Sequence, residues 1–374
     1  MKKIVCFLLL VVLVFPQSAF AQAAKALRPL LPALSKSGVQ AAGGKCLSFE
    51  LGNMYMYLPP AVMSAHGADL WNTHISAQLD PALYGAVSKK NNAYIFKSLQ
   101  RFTQNYEKFH AHSASIVGRI QSCVYTGDIP YAAYLPKDLK TLYLGEVHGI
   151  VPLAEEVTRL IQALPKLYPG RKIYLATEFL PAYEQLPLGA DRTVTRPEEI
   201  AQLLPDTRRV SVRVLYAAVK AGIPVIGLER ENELQNFIVR TTRQKPTDQM
   251  YEDFSCSFEG VRLRNKMWAQ YLRALRQQEP DALIVVYAGF GHVGYNQDFN
   301  LPSMLGGDSF VVLFTVPEYL TLNNPLFIYF REEAAVRAQF HSSPRARLVE
   351  SWVKPSPYKK ILGSDMTVIL QSEE

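Results

Sequence analysis

Two segments of one kind carry the chemistry in this sequence: Gly145-Glu146-Val147-His148, followed by Gly149, and Gly289-Phe290-Gly291-His292. With 21 glycines and 7 histidines in 374 residues, chance supplies about 0.4 Gly-x-x-His matches, so one alone carries no information. Here there are two, and each directly follows a short apolar run. Two other apolar runs end in Thr177-Glu178 and in Glu229-Arg230-Glu231. Glu146, His148, Glu178 and His292 together suit two chemistries. Imidazole and carboxylate are ligands of a divalent metal, which would make His148, His292 and Glu178 the metal set. Alternatively, a glutamate beside a histidine fixes its tautomer and raises its basicity, giving a general base with orienting acids. A plainer reading has the glycines making tight turns and the histidines satisfying backbone carbonyls.

Further polar residues accompany that set. Gly145, Gly149, Gly289 and Gly291 let backbone approach a ligand closely, and a helix starting near Pro152 aims free N–H groups at the same place, favouring an anionic group. Arg264-Asn265, with Met267, lie on a helical stretch beside its apolar face, as a ligand-facing pair or as partners of a helix-to-loop hydrogen bond. Glu229 and Arg230 either bind ligand or form a local salt-bridged turn with Glu231. No Gly-x-Ser-x-Gly elbow, P-loop or Rossmann glycine fingerprint is present.

The elements that must position these residues follow from periodicity. From about residue 138, apolar runs Thr141–Leu144, Lys172–Ala176, Pro224–Leu228, Leu283–Ala288 and Phe310–Val316 alternate with helical stretches. The helices are expected over Pro152–Leu164, over Val210–Ala221 with Gly222 as C-cap, and over Gly260–Gln278. Strand alternating with helix predicts an α/β fold with a largely parallel central sheet and crossover helices. In such a sheet ligands bind beyond the carboxyl ends of the strands, and there these motifs fall. Pro325–Phe330 and Met366–Leu370 are weaker strand candidates in a carboxyl-terminal extension. The domain division is therefore 46–136, mostly helical with a helix over Asn92–Val124, and 137–374, the α/β domain with its extension. His110 and His112, two apart on that helix, point in different directions and make a poor metal pair.

At these residues the chain resembles the ChaN-like proteins of the haem-binding-uptake and Tiki superfamily, which takes in the erythromycin esterases and the TraB/GumN proteins. Leu144-Gly145-Glu146-Val147-His148, Ala176-Thr177-Glu178, Arg264-Asn265-Lys266-Met267 and Ala288-Gly289-Phe290-Gly291-His292-Val293 occur in that family's order, across about residues 138–316. The resemblance implies a pocket lined by Glu146, His148, Glu178 and His292. Its implied functions differ: haem or iron handling for the ChaN-like proteins, metal-dependent proteolysis for Tiki proteins, and lactone opening by a histidine base for the esterases. The expectation is thus a binding protein for haem, iron or a divalent metal, with a hydrolase of ester, lactone or peptide bonds as the alternative. The ligand would be a small molecule, haem or a peptide.

The amino terminus bears on where this happens. Lys2 and Lys3, the apolar run Ile4–Pro16 and Ala19-Phe20-Ala21 have the order of a signal peptide over residues 1–21, leading to a periplasmic or secreted protein. Cys6 lies inside the apolar run, so the lipid-attachment cysteine of a ChaN lipoprotein is missing. Residues 22–45 read as a linker, and no later stretch is long and apolar enough to span a bilayer. Losing Lys2 and Lys3 takes 40 basic residues to 38 against 33 acidic ones, a net charge of +5 without a basic run, which argues against nucleic acid. Of Cys46, Cys123 and Cys256, the first two are the expected disulfide.

Overall fold

Short β-branched runs separated by amphipathic stretches leave each strand two apolar faces to cover, and the chain covers both. The computed structural model describes residues 115–116, 118–182, 193–204, 210–255, 258–295, 298–317, 334–352, 359 and 363–371. The expected signal peptide, the linker, His110, His112, Cys46, Cys256 and Pro325–Phe330 lie outside these. The chain divides into two compact units, residues 1–104 with 238–259, and 105–237 with 260–374.

The second unit is built on β1 (Ile120–Tyr125), β2 (Thr141–Glu146), β3 (Ile173–Pro181), β4 (Val225–Glu229), β5 (Leu283–Gly289), β6 (Ser309–Thr315), β7 (Arg347–Trp352) and β8 (Met366–Leu370). They form one sheet in the order β1-β7-β8-β6-β2-β5-β3-β4. All neighbours from β8 to β4 run parallel, while β7 is antiparallel to both β8 and β1. This is the expected α/β fold with a largely parallel sheet.

Helices α1 (Val151–Leu167), α2 (Pro197–Leu203), α3 (Val210–Lys220), α4 (Glu231–Thr242), α5 (Asp248–Ser255), α6 (Phe258–Gln278), α7 (Phe290–Val293), α8 (Leu301–Leu305) and α9 (Ala334–Phe340) complete the description. On one face of the sheet, Leu153, Val157, Leu160, Ile161 and Leu164 of α1 pack with Val212, Leu215 and Val219 of α3 against Leu144, Leu175, Val285 and Tyr287. On the other, Met267, Trp268, Tyr271, Leu272 and Leu275 of α6 pack against Tyr143, Tyr174, Val286 and Ala288. The i, i+4 spacing that marked these helices in the sequence is the spacing of their buried side chains. Gly222 takes a φ of 74°, as a C-cap glycine does.

Of the first unit, the described residues are the end of α4, α5 and the start of α6. There the Thr247 hydroxyl accepts the Met250 N–H at 3.2 Å, and Met250 and Phe254 are buried.

Three expectations are corrected. The helix over Asn92–Val124 does not reach its predicted end, because from Ile120 the chain is strand β1, paired along its length with β7. The sheet therefore extends back beyond residue 137, and the polar section after residue 340 contains β7 itself. Cys123 on β1 carries a free thiol in place of the expected disulfide, and its expected partner Cys46 lies outside the described residues.

Candidate functional site

The carboxyl ends of β2, β5, β3 and β4 lie side by side, and the register sets which residues meet there. Glu146 stands beside Gly289, and Thr177 beside Tyr287. Past Thr177 the pairing of β3 with β4 slips, resuming at Pro181. That bulge takes Glu178, Phe179 and Leu180 out of regular pairing with β4 and re-aims their side chains. Gly227 on β4 permits it, since a Cβ there would run into the Pro181 carbonyl.

Glu178 is the hub. Its Oε1 accepts from His148 Nε2 at 3.1 Å and from the Gly289 backbone N–H. Its Oε2 accepts from Arg264 Nη2 at 3.0 Å and lies 3.4 Å from His292 Nε2. Arg264 also binds Glu229 Oε2 through Nε at 2.9 Å and Nη2 at 2.5 Å, and its guanidinium lies 4.9 Å from the Trp268 ring centroid. On the far side of His148, Nδ1 is 3.6 Å from Glu146 Oε1. The His148 side chain is 48% exposed, whereas no other ionisable group of this set exceeds 16%.

The two histidines are held in opposite states. Asn265 Nδ2 donates to the Phe299 carbonyl at 2.9 Å, so its Oδ1 must be the atom 2.7 Å from His292 Nδ1. An acceptor there makes Nδ1 the protonated nitrogen and leaves a lone pair on Nε2. Burial, helped by Arg264 and His148 against the pull of Glu178, lowers the His292 pKa to about 3 and keeps it neutral. Burial also works to lower His148, but Glu178 and Glu146 override it and carry its pKa up to about 10. Burial works to raise Glu178, yet the charges of His292 when protonated, His148 and Arg264 hold it well below the usual carboxylate range. With His292 neutral at pH 7, only His148 and Arg264 supply that charge.

Glu146, His148, Glu178, Glu229 and His292, expected at the strand ends, and Arg264, expected on the helix, are thus brought together, with Gly289 beneath them. A Cβ at Gly289 would stand 2.6 Å from His148 Nε2. Several expected roles change. Asn265 is fully buried and sets the His292 tautomer rather than facing a ligand. Arg230 turns away to Glu233, at 2.6 Å, because α4 begins at Glu231 where a turn was expected. Gly145 is a packing glycine: a Cβ there would lie 2.6 Å from Val293 Cγ2 and 2.7 Å from Leu313 Cδ2. Gly149 serves a turn with a φ of 82°, and Gly291 sits inside α7.

His148, His292 and Glu178 do converge, but not as a metal set. Among the described residues no group of three His, Cys, Asp or Glu is arranged to hold a metal ion. The physical reason is Arg264: its guanidinium already occupies the cation position against Glu178 Oε2, with Nη1 3.4 Å from His292 Nε2. A dication there would have to displace a buried, doubly paired arginine. Haem fits no better at His148, where both ring nitrogens face carboxylates that retain their protons.

Two residues escaped the sequence reading. Phe179 meets the His148 ring edge-on at 4.9 Å, and Tyr287 lies 5.0 Å from Phe179. Tyr287 is fully buried, and burial, then Glu146, keeps its hydroxyl protonated far above the ordinary range. The alternation of β5 held the signal, because Tyr287 shares a face with Gly289. A cavity of about 780 Å³ lies apart from this site, between Pro152 at the start of α1 and Leu370 at the end of β8. Arg159 and Arg347 line it, but both are paired with the buried Glu156, so it holds no comparable chemistry.

No family model matches this chain, and no curated protein matches it. Solved structures that match include the type III effector HopBA1, at 14% identity and a TM-score of 0.34, covering 63% of this chain and 88% of that one. A mutant of the erythromycin esterase EreC in its open conformation matches at 10% identity and a TM-score of 0.41, covering 63% and 91%. Likenesses this distant carry no functional argument, and the chemistry of this chain has to be read from the geometry of its own site.

Proposed function

We propose that this chain is a hydrolase of ester, lactone or peptide bonds, with His148 as proton donor and Glu146 as base. The observation that carries this reading is the exposure of His148: it alone among the site's ionisable groups opens to solvent, while two buried carboxylates hold it. A general base was the expectation, but a histidine with a pKa near 10 rests as imidazolium, which is an acid. Groups whose environments drive their proton affinities apart mark the acid and base roles.

In this reading a water attacks the carbonyl carbon and gives its proton to the Glu146 carboxylate as the π pair moves to oxygen. The tetrahedral intermediate collapses, the carbon–oxygen or carbon–nitrogen bond breaks, and the leaving group takes the His148 proton. Glu146 then returns its proton to His148 across the 3.6 Å contact, so both groups regain their starting states. Glu178 stays ionised and orients the ring. Arg264, Asn265 and His292 support Glu178 from the opposite face of the sheet.

The test is a panel of p-nitrophenyl esters, lactones and peptides with wild-type protein and with the Glu146→Gln, His148→Ala double variant. Turnover that survives in the double variant rejects the site. The rival reading, a carrier of haem, iron or a divalent metal, predicts stoichiometric metal or a Soret shift on adding haemin. Export belongs to the same proposal, and the mature protein should then begin after residue 21, as amino-terminal sequencing will read.

A further inference from the structure

Glu178 and Phe179 are consecutive residues of β3, and both touch the same imidazole. Glu178 Oε1 accepts from His148 Nε2 at 3.1 Å, and the Phe179 ring meets the His148 ring edge-on, with 4.9 Å between centroids and an interplanar angle of 83°. A regular strand sends successive side chains to opposite faces of its sheet, so it could offer His148 only one of the two. The bulge removes that restriction. Between Thr177, paired with Gly227, and Pro181, paired with Glu229, three residues of β3 stand against one of β4. The Phe179 N–H, taken out of the ladder there, donates to the buried Thr177 hydroxyl at 3.3 Å, so the distortion strands no donor at Phe179.

His148 needs such a second contact. Its side chain is half-exposed, and Glu146 Oε1 stands 3.6 Å from Nδ1, beyond ordinary hydrogen-bond length. The firm bond is therefore the one to Glu178, and a half-exposed ring held at one nitrogen can turn about its Cβ–Cγ bond toward water. Phe179 packs at right angles against that ring and limits the turn. Behind Phe179 lies the Tyr287 ring at 5.0 Å, fully buried, so the stop itself has little room to yield. We infer that Phe179 is a positioning residue, placed by the β3 bulge to hold the His148 ring with Nε2 on Glu178 and Nδ1 toward Glu146. Its effect on turnover rests on the hydrolase reading, but the restraint on the ring does not.

The experiment uses Phe179→Leu and Phe179→Met, which fill the space without a flat ring; the variant that keeps the wild-type melting temperature is carried forward. Its kcat and KM are measured on ethyl acetate and on p-nitrophenyl acetate, which share an acyl group. Ethoxide needs a proton to leave, whereas p-nitrophenolate leaves without one, so only the first reaction depends on a well-placed acid. The expected kcat falls about tenfold or more on ethyl acetate and at most about threefold on the p-nitrophenyl ester, with little change in KM. In protein carrying isotope-labelled histidine, the His148 ring N–H protons, identified by their loss in His148→Ala, should exchange with water roughly tenfold faster in the variant. Equal losses on the two esters make Phe179 structural support alone and overturn the positioning role, as does an unchanged rate on ethyl acetate. Exchange as slow as in the wild type overturns the restraint. A wild type that hydrolyses neither ester, or only the p-nitrophenyl one, sinks the proton-donor reading and leaves the restraint to be judged by exchange.

Discussion

Replacing Glu178 by glutamine tests the hub of the site, because it removes one charge and preserves the shape. His148 sits about 3.5 pH units above its ordinary value of 6.5, lifted there by Glu178 and Glu146 against the effect of burial. The two carboxylates together supply that rise and also offset burial, so an equal share gives Glu178 about two pH units or more. The His148 side chain is 48% exposed, so water screens the pair, and about half of that share should be felt. We therefore expect the His148 pKa to fall by about one pH unit in Glu178→Gln. The amide oxygen can still accept from His148 and Gly289, and Arg264 keeps both bonds to Glu229, so the fold should survive. The assay is a proton NMR titration of the His148 Cε1–H resonance, assigned by its loss in His148→Ala. The same charge carries a stability consequence. A histidine whose folded pKa is raised adds stability that is fully present below about 6.5 and is lost as pH climbs through about 10. In the variant that loss should be complete at lower pH. A His148 pKa that moves by less than about 0.3 pH units would refute the electrostatic account of the site.

The activity profile should show a plateau near neutrality and fall as pH rises through about 10, where His148 loses the proton it must donate; a rate that instead climbs through that region assigns it as a base. Gly289→Ala should abolish turnover and lower the circular dichroism melt only modestly, because its Cβ would meet the movable His148 ring at 2.6 Å and Glu178 Oε1 at 3.3 Å, with no backbone in its way. Glu350 on β7 is buried, with Oε2 unpartnered, and burial raises its pKa to about 8. A carboxyl group raised in this way loses its contribution to stability as pH rises from about 4.5 to about 8. Urea unfolding should therefore show wild-type stability dropping by up to about 5 kcal/mol across that interval, and Glu350→Gln should flatten the slope.

The strands and helices that hold the site were legible because each has a strong period of its own. The helix α1, with Leu153, Val157, Leu160, Ile161 and Leu164, needs no partner to be recognised, and β2, β4, β5 and β6 end within two residues of their apolar runs, while β3 runs on past Ala176 to Pro181. Strand β1 was missed because Ile120-Gln121-Ser122-Cys123-Val124-Tyr125 alternates weakly and gains its identity by pairing with β7, some 220 residues later in the chain. Convergence of the acids and histidines followed from a general rule about strand ends. Their protonation did not, since it depends on burial that only folding supplies: His148 and His292 carry the same motif and end in opposite charge states. Arg264 was visible as a polar neighbour, but its place between Glu178 and Glu229 depends on how α6 lies against β3 and β4.

The two-sided grip on Glu178 has a consequence for how the molecule comes into being. One oxygen is satisfied by His148, in the turn after β2, and by Gly289 of β5, the other by α6 and α7, which are parts of the chain made more than eighty residues after Glu178 itself. Such distant contacts close late, after the local helices have formed. A full-length chain with α6 and α7 undocked would carry every motif and still have Glu178 unsupported and His148 at its ordinary proton affinity. The competence of this site is therefore a late-arriving property, and a ribosome-bound fragment ending before Arg264 should be silent.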